Sequence, residues 1–189
     1  MTQESETSFL AGRVQVVVGN ITRESVDAIV NAANSSLRGG GGVDGAIHAA
    51  GGPAILEACE EIRRTRYAEG LPTGEAVATP GGNLPARWVI HTVGPIKGLH
   101  GDDDSVMLAR AYQSSLRLAV EIGAKSIAFP AISTGIYGYP KDEAAEVASR
   151  TIEEFLRDDA SLELVRFVFF QASDARIFLR CQQFTGTGT

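Results

Sequence analysis

Short apolar runs rich in β-branched residues recur along the chain, separated by stretches of helical periodicity. VQVVVG (14–19), VDAIVN (26–31), EAVATP (75–80), RWVIHTV (87–93), SIAFPAI (126–132) and LVRFVFF (164–170) each have the length and make-up of a strand. Between them lie helical patterns. Pro53 stands at an early helical position, where its missing N–H is not needed, and Ile55, Leu56, Cys59 and Ile62 share one face behind it. From about Asp104 to Ile122, the residues Leu108, Ala111, Tyr112, Ser115, Ala119 and Ile122 form one stripe, with Gly123 as the stop. A further helix starts near Pro140, places Asp142 and Glu143 where the helix dipole favours acids, and buries Ala145, Ala148, Ile152 and Phe155. Alternating strands and helices predict a single α/β domain built as a three-layer α/β/α sandwich. The polar lead-in, residues 1–12, and the tail, residues 183–189, are expected to fray, leaving a domain over 13–182.

Ligands of open α/β sheets sit at the carboxyl ends of the strands, and two segments in such positions are unusual. The first, after the strand ending at Asn31, contains four consecutive glycines, Gly39 to Gly42, and leads into a helical pattern. Glycines lose more backbone freedom on folding than any other residue, so a run of four asks for a purpose. A backbone cradle for phosphate at a helix N-terminus supplies one, and a flexible surface loop is the plainer alternative. Gly40, Gly42 and Gly45 spell G-x-G-x-x-G. The dinucleotide fingerprint, however, turns straight from strand into helix and has an acid about 20 positions on, whereas position 65 is Thr65 within a helix. No Gly-Lys-Ser/Thr follows, which excludes a P-loop.

Asp44 opens the helix behind the glycines, as an N-cap or as a functional acid. His48 lies four residues on along the same face, and a lone histidine is more often a satisfied core group than a catalyst. Asn31 and Asn34 are either turn-forming side chains or part of the same constellation. The second segment, Ser133-Thr134-Gly135-Ile136-Tyr137-Gly138, offers hydroxyls, glycines and successive N–H groups suited to an anion nest. Two such loops could clamp a diphosphate while Tyr137 presents an aromatic face to a sugar or base.

Composition narrows the field. A chain of 189 residues, 44% hydrophobic and 21% charged, fits one domain with one sizeable core. No apolar run approaches the roughly 20 residues that span a bilayer, so no membrane partner is expected. The net charge of −6 provides no basic field for long nucleic acid, so an anionic ligand must be held by local groups. Cys59 and Cys181, with His48, His91 and His100, have no zinc spacing, so neither a metal nor a cofactor is expected. MTQESETSF lacks the basic start and apolar core of a secretory signal, and the expected location is the cytoplasm.

The strings GNIT (19–22), VDAIVNAAN (26–34), GGGGVDGAIH (39–48), HTVGP (91–95) and AISTGIYGYP (131–140) resemble the macrodomain family, in its MacroD-type branch, with the likeness running from about residue 13 to 182. The resemblance implies a mixed, roughly six-stranded sheet between helices and ADP-ribose bound at the sheet's crest. It implies a hydrolase that removes mono-ADP-ribose from acidic protein side chains or deacetylates O-acetyl-ADP-ribose. A monomer is expected. Carried over by position, Asn34 and Asp44 match residues at the distal ribose and its reacting end, with Asn31 and His48 supporting them. Gly41, Gly42 and Val43 match one phosphate loop; Ser133, Thr134, Gly135, Ile136 and Tyr137 match the other. Asn20 and Ile21 match the adenine end, where the family usually has aspartate at the position of Asn20. A reader that binds ADP-ribose without cleaving it is the alternative, and a nicotinamide-dependent oxidoreductase is a weaker one given the misplaced fingerprint.

Overall fold

The structure, a computed structural model, describes residues 6–185. Its strands are β1 (Thr7–Phe9), β2 (Val14–Val18), β3 (Ala28–Ala32), β4 (Ala76–Pro80), β5 (Trp88–Thr92), β6 (Ser126–Phe129) and β7 (Leu164–Phe169). The helices are α1 (Gly42–Gly51), α2 (Pro53–Thr65), α3 (Asp104–Glu121), α4 (Lys141–Asp158) and α5 (Ala172–Cys181). The strands form one mixed sheet in the order β1-β2-β7-β6-β3-β5-β4. The inner strands β2, β7, β6, β3 and β5 are parallel, while β1 and β4 close the two edges antiparallel. Sheets of this kind bury both faces, which is why the inner strands read as nearly continuous apolar runs.

Alternation along the strands divides the core in two. Ala28, Val30, Ile90, Ile127 and Phe167 face α3, α4 and α5, packing on Leu108, Tyr112, Ile152 and Phe178. Ile29, Val89, Ala128 and Val168 face the other layer, with Ile47 of α1 and Ile55 and Cys59 of α2. The period of two therefore turns Asn31 and His91, paired across β3 and β5, toward α1 and α2 together.

The sheet has one strand more than the sequence patterns predict. Thr7–Phe9, inside the stretch expected to fray, pairs with β2. Phe9 and Phe184 are both buried and their rings meet at 5.0 Å. Burying such a side chain contributes about 1.5–3 kcal/mol, enough to hold these ends against the sheet despite their polar neighbours. Residues 1–5 and 186–189 of the two expected flexible ends lie outside the described residues. The expected strand 126–132 stops at Phe129, because Pro130 has no N–H to continue the ladder. Ala28, not Val26, begins β3: Asp27 instead turns its carboxylate to the N–H groups of Lys125 and Ser126, at 2.7 and 3.0 Å, and locks the start of β6. In α4 the fully packed residue near the end is Leu156, with Phe155 half-buried. α5, with Ala175 and Phe178 buried, was not singled out from the sequence.

Candidate functional site

All five parallel strands end at one cleft of about 810 Å³. Gly19, Asn20 and Ile21 follow β2; Ala33 and Asn34 follow β3; Gly94 follows β5; Pro130 and Ala131 follow β6; Phe170 follows β7. The glycine loop and the 133–137 loop form opposite walls, so the two segments expected to act together do border the same space. Its size suits a ligand of several hundred daltons. Among the described residues no lysine or arginine lines it.

Two sets of backbone N–H groups stand in place of cations. α1 has Gly41 as its N-cap, with no side chain capping it, so its first-turn N–H groups remain for a ligand. Asp44 is thus the third residue of the helix and not its cap. The loop passes close over the helix: a Cβ on Gly45 would lie 2.5 Å from the Gly40 carbonyl oxygen, which requires glycine there. At Gly41, by contrast, a Cβ would meet nothing within 4 Å. In the second loop Gly138 donates to the Gly135 carbonyl at 3.0 Å and Tyr139 to that of Ser133 at 2.9 Å. The N–H groups of Thr134, Gly135, Ile136 and Tyr137 have no acceptor among the described residues. A turn of successive unsatisfied N–H groups is an anion nest. Ser133 is held at φ +65°, a left-handed conformation costly for a residue with a Cβ, and its hydroxyl occupies the space that a Cβ on Gly94 would need.

Asp44 is 5% exposed. Its Oδ1 accepts from Asn31 Nδ2 at 2.7 Å and lies 3.3 Å from His48 Nε2, while Oδ2 has no donor among the described residues and is left to the cleft wall. His48 packs under Gly39, and its Nε2 is too poorly aligned to donate to Asp44. Asn31 is completely buried. Neither Asn31 nor His48 lines the cleft. Both stand behind Asp44, where strand alternation and the helix's own turn carry them. Asn34 does line the cleft, and it also ties the loop, donating to the Gly39 carbonyl at 3.0 Å and accepting from the Ser36 N–H at 3.0 Å. Tyr137 closes the same end, half-buried, and burial together with the nearby Asp44 charge pushes its hydroxyl pKa up. Asn20 lies at the far end, where its Oδ1 caps the 3-10 turn Ile21–Arg23.

Behind Asn31 the buried polar groups continue. His91 Nδ1 lies 3.1 Å from Asn31 Nδ2, and His91 Nε2 lies 2.9 Å from Thr79 Oγ1 and 3.7 Å from Cys59 Sγ. His48, Cys59 and His91 bring one ligand-capable atom each within 4.8 Å of one another, a cluster that spacing along the chain does not reveal. Both ring nitrogens of His91 are engaged by hydrogen bonds, and burial, with the charges of Asp44 and Glu60 adding to it, pushes the Cys59 thiol up to about 12. Cys59 and His91 therefore fit a neutral hydrogen-bonded core better than a pair of metal ligands.

Phe170 and Asp174 also line the cleft and were missed from the sequence. Phe170 is 77% exposed immediately after β7. The strand-end rule points to it, since an aromatic left exposed at the carboxyl end of a buried strand is there for something other than the core. Asp174 sits in the first turn of α5 and pairs with Lys141 Nζ at 2.6 Å.

Residues 30–148 match the family model described as Macro domain. A Macro domain-containing protein of Streptomyces griseus is 60% identical over 159 residues, covering 84% of this chain and 88% of that protein. A protein of Escherichia fergusonii named O-acetyl-ADP-ribose deacetylase is 53% identical over 173 residues, covering 90% of this chain and 96% of its own. Among solved structures, an Oceanobacillus iheyensis macrodomain with ADP superposes with a TM-score of 0.86 at 49% identity, covering 88% of each chain.

Proposed function

The chain belongs to the Macro domain family, and from that premise we propose that it binds ADP-ribose along the cleft and hydrolyses esters at the distal ribose. The substrates are O-acetyl-ADP-ribose and mono-ADP-ribose attached to acidic protein side chains, both of which join a carboxylic acid to the ribose. Support for the ligand comes from the relatives, one named for an O-acetyl-ADP-ribose reaction and one solved with ADP, and from the two walls of free N–H groups suited to a diphosphate. In this reading the diphosphate spans α1's N-terminus and the 133–137 loop, the adenine lies toward Asn20 and Phe170, and the distal ribose lies toward Asn34, Asp44 and Tyr137.

The observation that carries the hydrolase reading is the Asp44 carboxylate, with one oxygen tied to Asn31 and the other left to the cleft wall. A carboxylate held by one oxygen can orient a water with the other, at the roughly 3 Å that proton transfer needs. Water adds to the ester carbonyl carbon, the bond from that carbon to the ribose oxygen breaks, and the ribose oxygen takes up a proton to become a hydroxyl while the carboxylic acid departs with water's oxygen. The substrate's own diphosphate shares the activation of that water. Free N–H groups of the two loops steady the charge. The test is release of acetate from O-acetyl-ADP-ribose and of ADP-ribose from a glutamate-linked target. Asp44→Ala is expected to remove turnover on both while keeping most ADP-ribose affinity by calorimetry. Parallel loss of binding and turnover would make Asp44 a ligand contact, and binding without turnover in the wild type would make the protein a reader.

A further inference from the structure

A single hydrogen-bonded line runs from β4 to α1, through side chains that do not touch the cleft until its last member. Asp44 Oδ1, as a carboxylate oxygen, must receive a donor, which fixes the NH₂ of Asn31 on that side at 2.7 Å. The same Nδ2 lies 3.1 Å from His91 Nδ1, so that nitrogen accepts and carries no proton. The ring proton is therefore on Nε2, which donates to Thr79 Oγ1 at 2.9 Å, and the Thr79 hydroxyl donates on to the Pro80 carbonyl at 3.2 Å. Each link leaves the next one choice. Asn31, Thr79 and His91 are 0–1% exposed, so water does not offer an alternative partner. Burial, reinforced by His48, pushes the His91 pKa down to about 3 and keeps the ring neutral.

We infer that Thr79 and His91 are positioning residues for the reacting end: they hold one tautomer of His91, which holds the Asn31 amide, which holds the Asp44 carboxylate. This rests on the proposal that Asp44 serves hydrolysis. With the proton on Nδ1 instead, the ring would face the Asn31 NH₂ donor to donor. Turning the amide would relieve that clash and set Asn31 Oδ1 against the Asp44 carboxylate. Cys59 Sγ, 3.7 Å from His91 Nε2, is a weak substitute for the Thr79 hydroxyl.

Thr79→Val keeps the shape and the strand while removing the acceptor, and Thr79→Ser gives it back. Three quantities are measured: kcat and KM with O-acetyl-ADP-ribose, ADP-ribose affinity, and the ¹⁵N resonances of the His91 ring. The valine variant is expected to lose roughly tenfold or more in kcat, in keeping with the cost of a misplaced reacting group. Its ADP-ribose affinity should stay within about twofold, its Nε2–H signal should weaken, and serine should restore all three. Wild-type kcat in the valine variant, an equal loss of affinity, or no rescue by serine overturns the inference. The wild-type ring spectrum tests it without any substitution, since a proton on Nδ1 refutes it outright. Asp44→Ala in the same assay separates the two layers: retained turnover there refutes the role of Asp44, whereas lost turnover beside an unaffected Thr79→Val refutes only the positioning line.

Discussion

Asn20→Asp is the substitution for which the structure changes the physical argument most. The Asn20 Oδ1 accepts from the Thr22 N–H at 3.0 Å and from the Thr22 hydroxyl at 2.8 Å, so both lone pairs of the amide oxygen are engaged in capping the turn. Turning the amide to free the oxygen would set its NH₂ against the Thr22 N–H. Asn20 therefore presents a donor to the cleft, opposite in sense to what an adenine amino group wants. Aspartate keeps one oxygen on Thr22, serves equally well as a cap, and offers its second oxygen as a charged acceptor. A hydrogen bond to a charged group contributes about 1.5–3 kcal/mol. Asn20 is exposed, which reduces that figure. A new negative charge about 10 Å from a diphosphate also opposes binding by roughly 0.4 kcal/mol per charge before screening. The net expectation is near 1 kcal/mol, or about fivefold tighter ADP-ribose binding, with the gain growing as salt screens the repulsion. Calorimetry with ADP-ribose and with its inosine counterpart, which has a carbonyl in place of the amino group, isolates the contact. Wild type should discriminate weakly between the two and the variant should favour adenine. Equal or weaker ADP-ribose binding in the variant, or the same gain for both ligands, refutes the reasoning.

Three further outcomes follow from the site. Gly41→Glu should abolish ADP-ribose binding by calorimetry with little change in melting temperature, because its side chain enters open cleft and not packed protein; retained affinity would mean that the loop does not face the diphosphate. Deacetylase activity should survive exhaustive chelation, and loss restored by one divalent ion would instead assign a metal to the His48, Cys59 and His91 cluster. Because burial lowers the His91 pKa from 6.5 to about 3, the unfolded chain binds the proton first, so this group's stabilising contribution is full above about pH 6.5 and is lost as pH falls toward 3. Melting temperatures across that range should fall with pH, less steeply in a His91→Gln variant; parallel curves would place the acid sensitivity elsewhere.

What the sequence made legible follows from how local each signal is. The apolar runs of the inner strands and the two loops behind them are contiguous, and strand-end geometry alone brings the loops to one cleft. Thr7–Phe9 and α5 were missed because each is held by contacts remote in sequence, Phe9 on Phe184 and Phe178 on Phe167 at 4.5 Å. Asp44 was legible as important but not in its geometry, since an acid beside a helix start reads equally as a cap, and only the position of Gly41 decides between them. The line from Thr79 to Asp44 was beyond reach for a stronger reason. Its members come from β4, β5, β3 and α1, and no spacing along the chain encodes the sheet order that makes them neighbours. Asn20 is the converse case: the departure from aspartate is plain in the sequence, but its sense is not. An asparagine can donate or accept, and only the two hydrogen bonds from Thr22 decide that this one donates to the cleft.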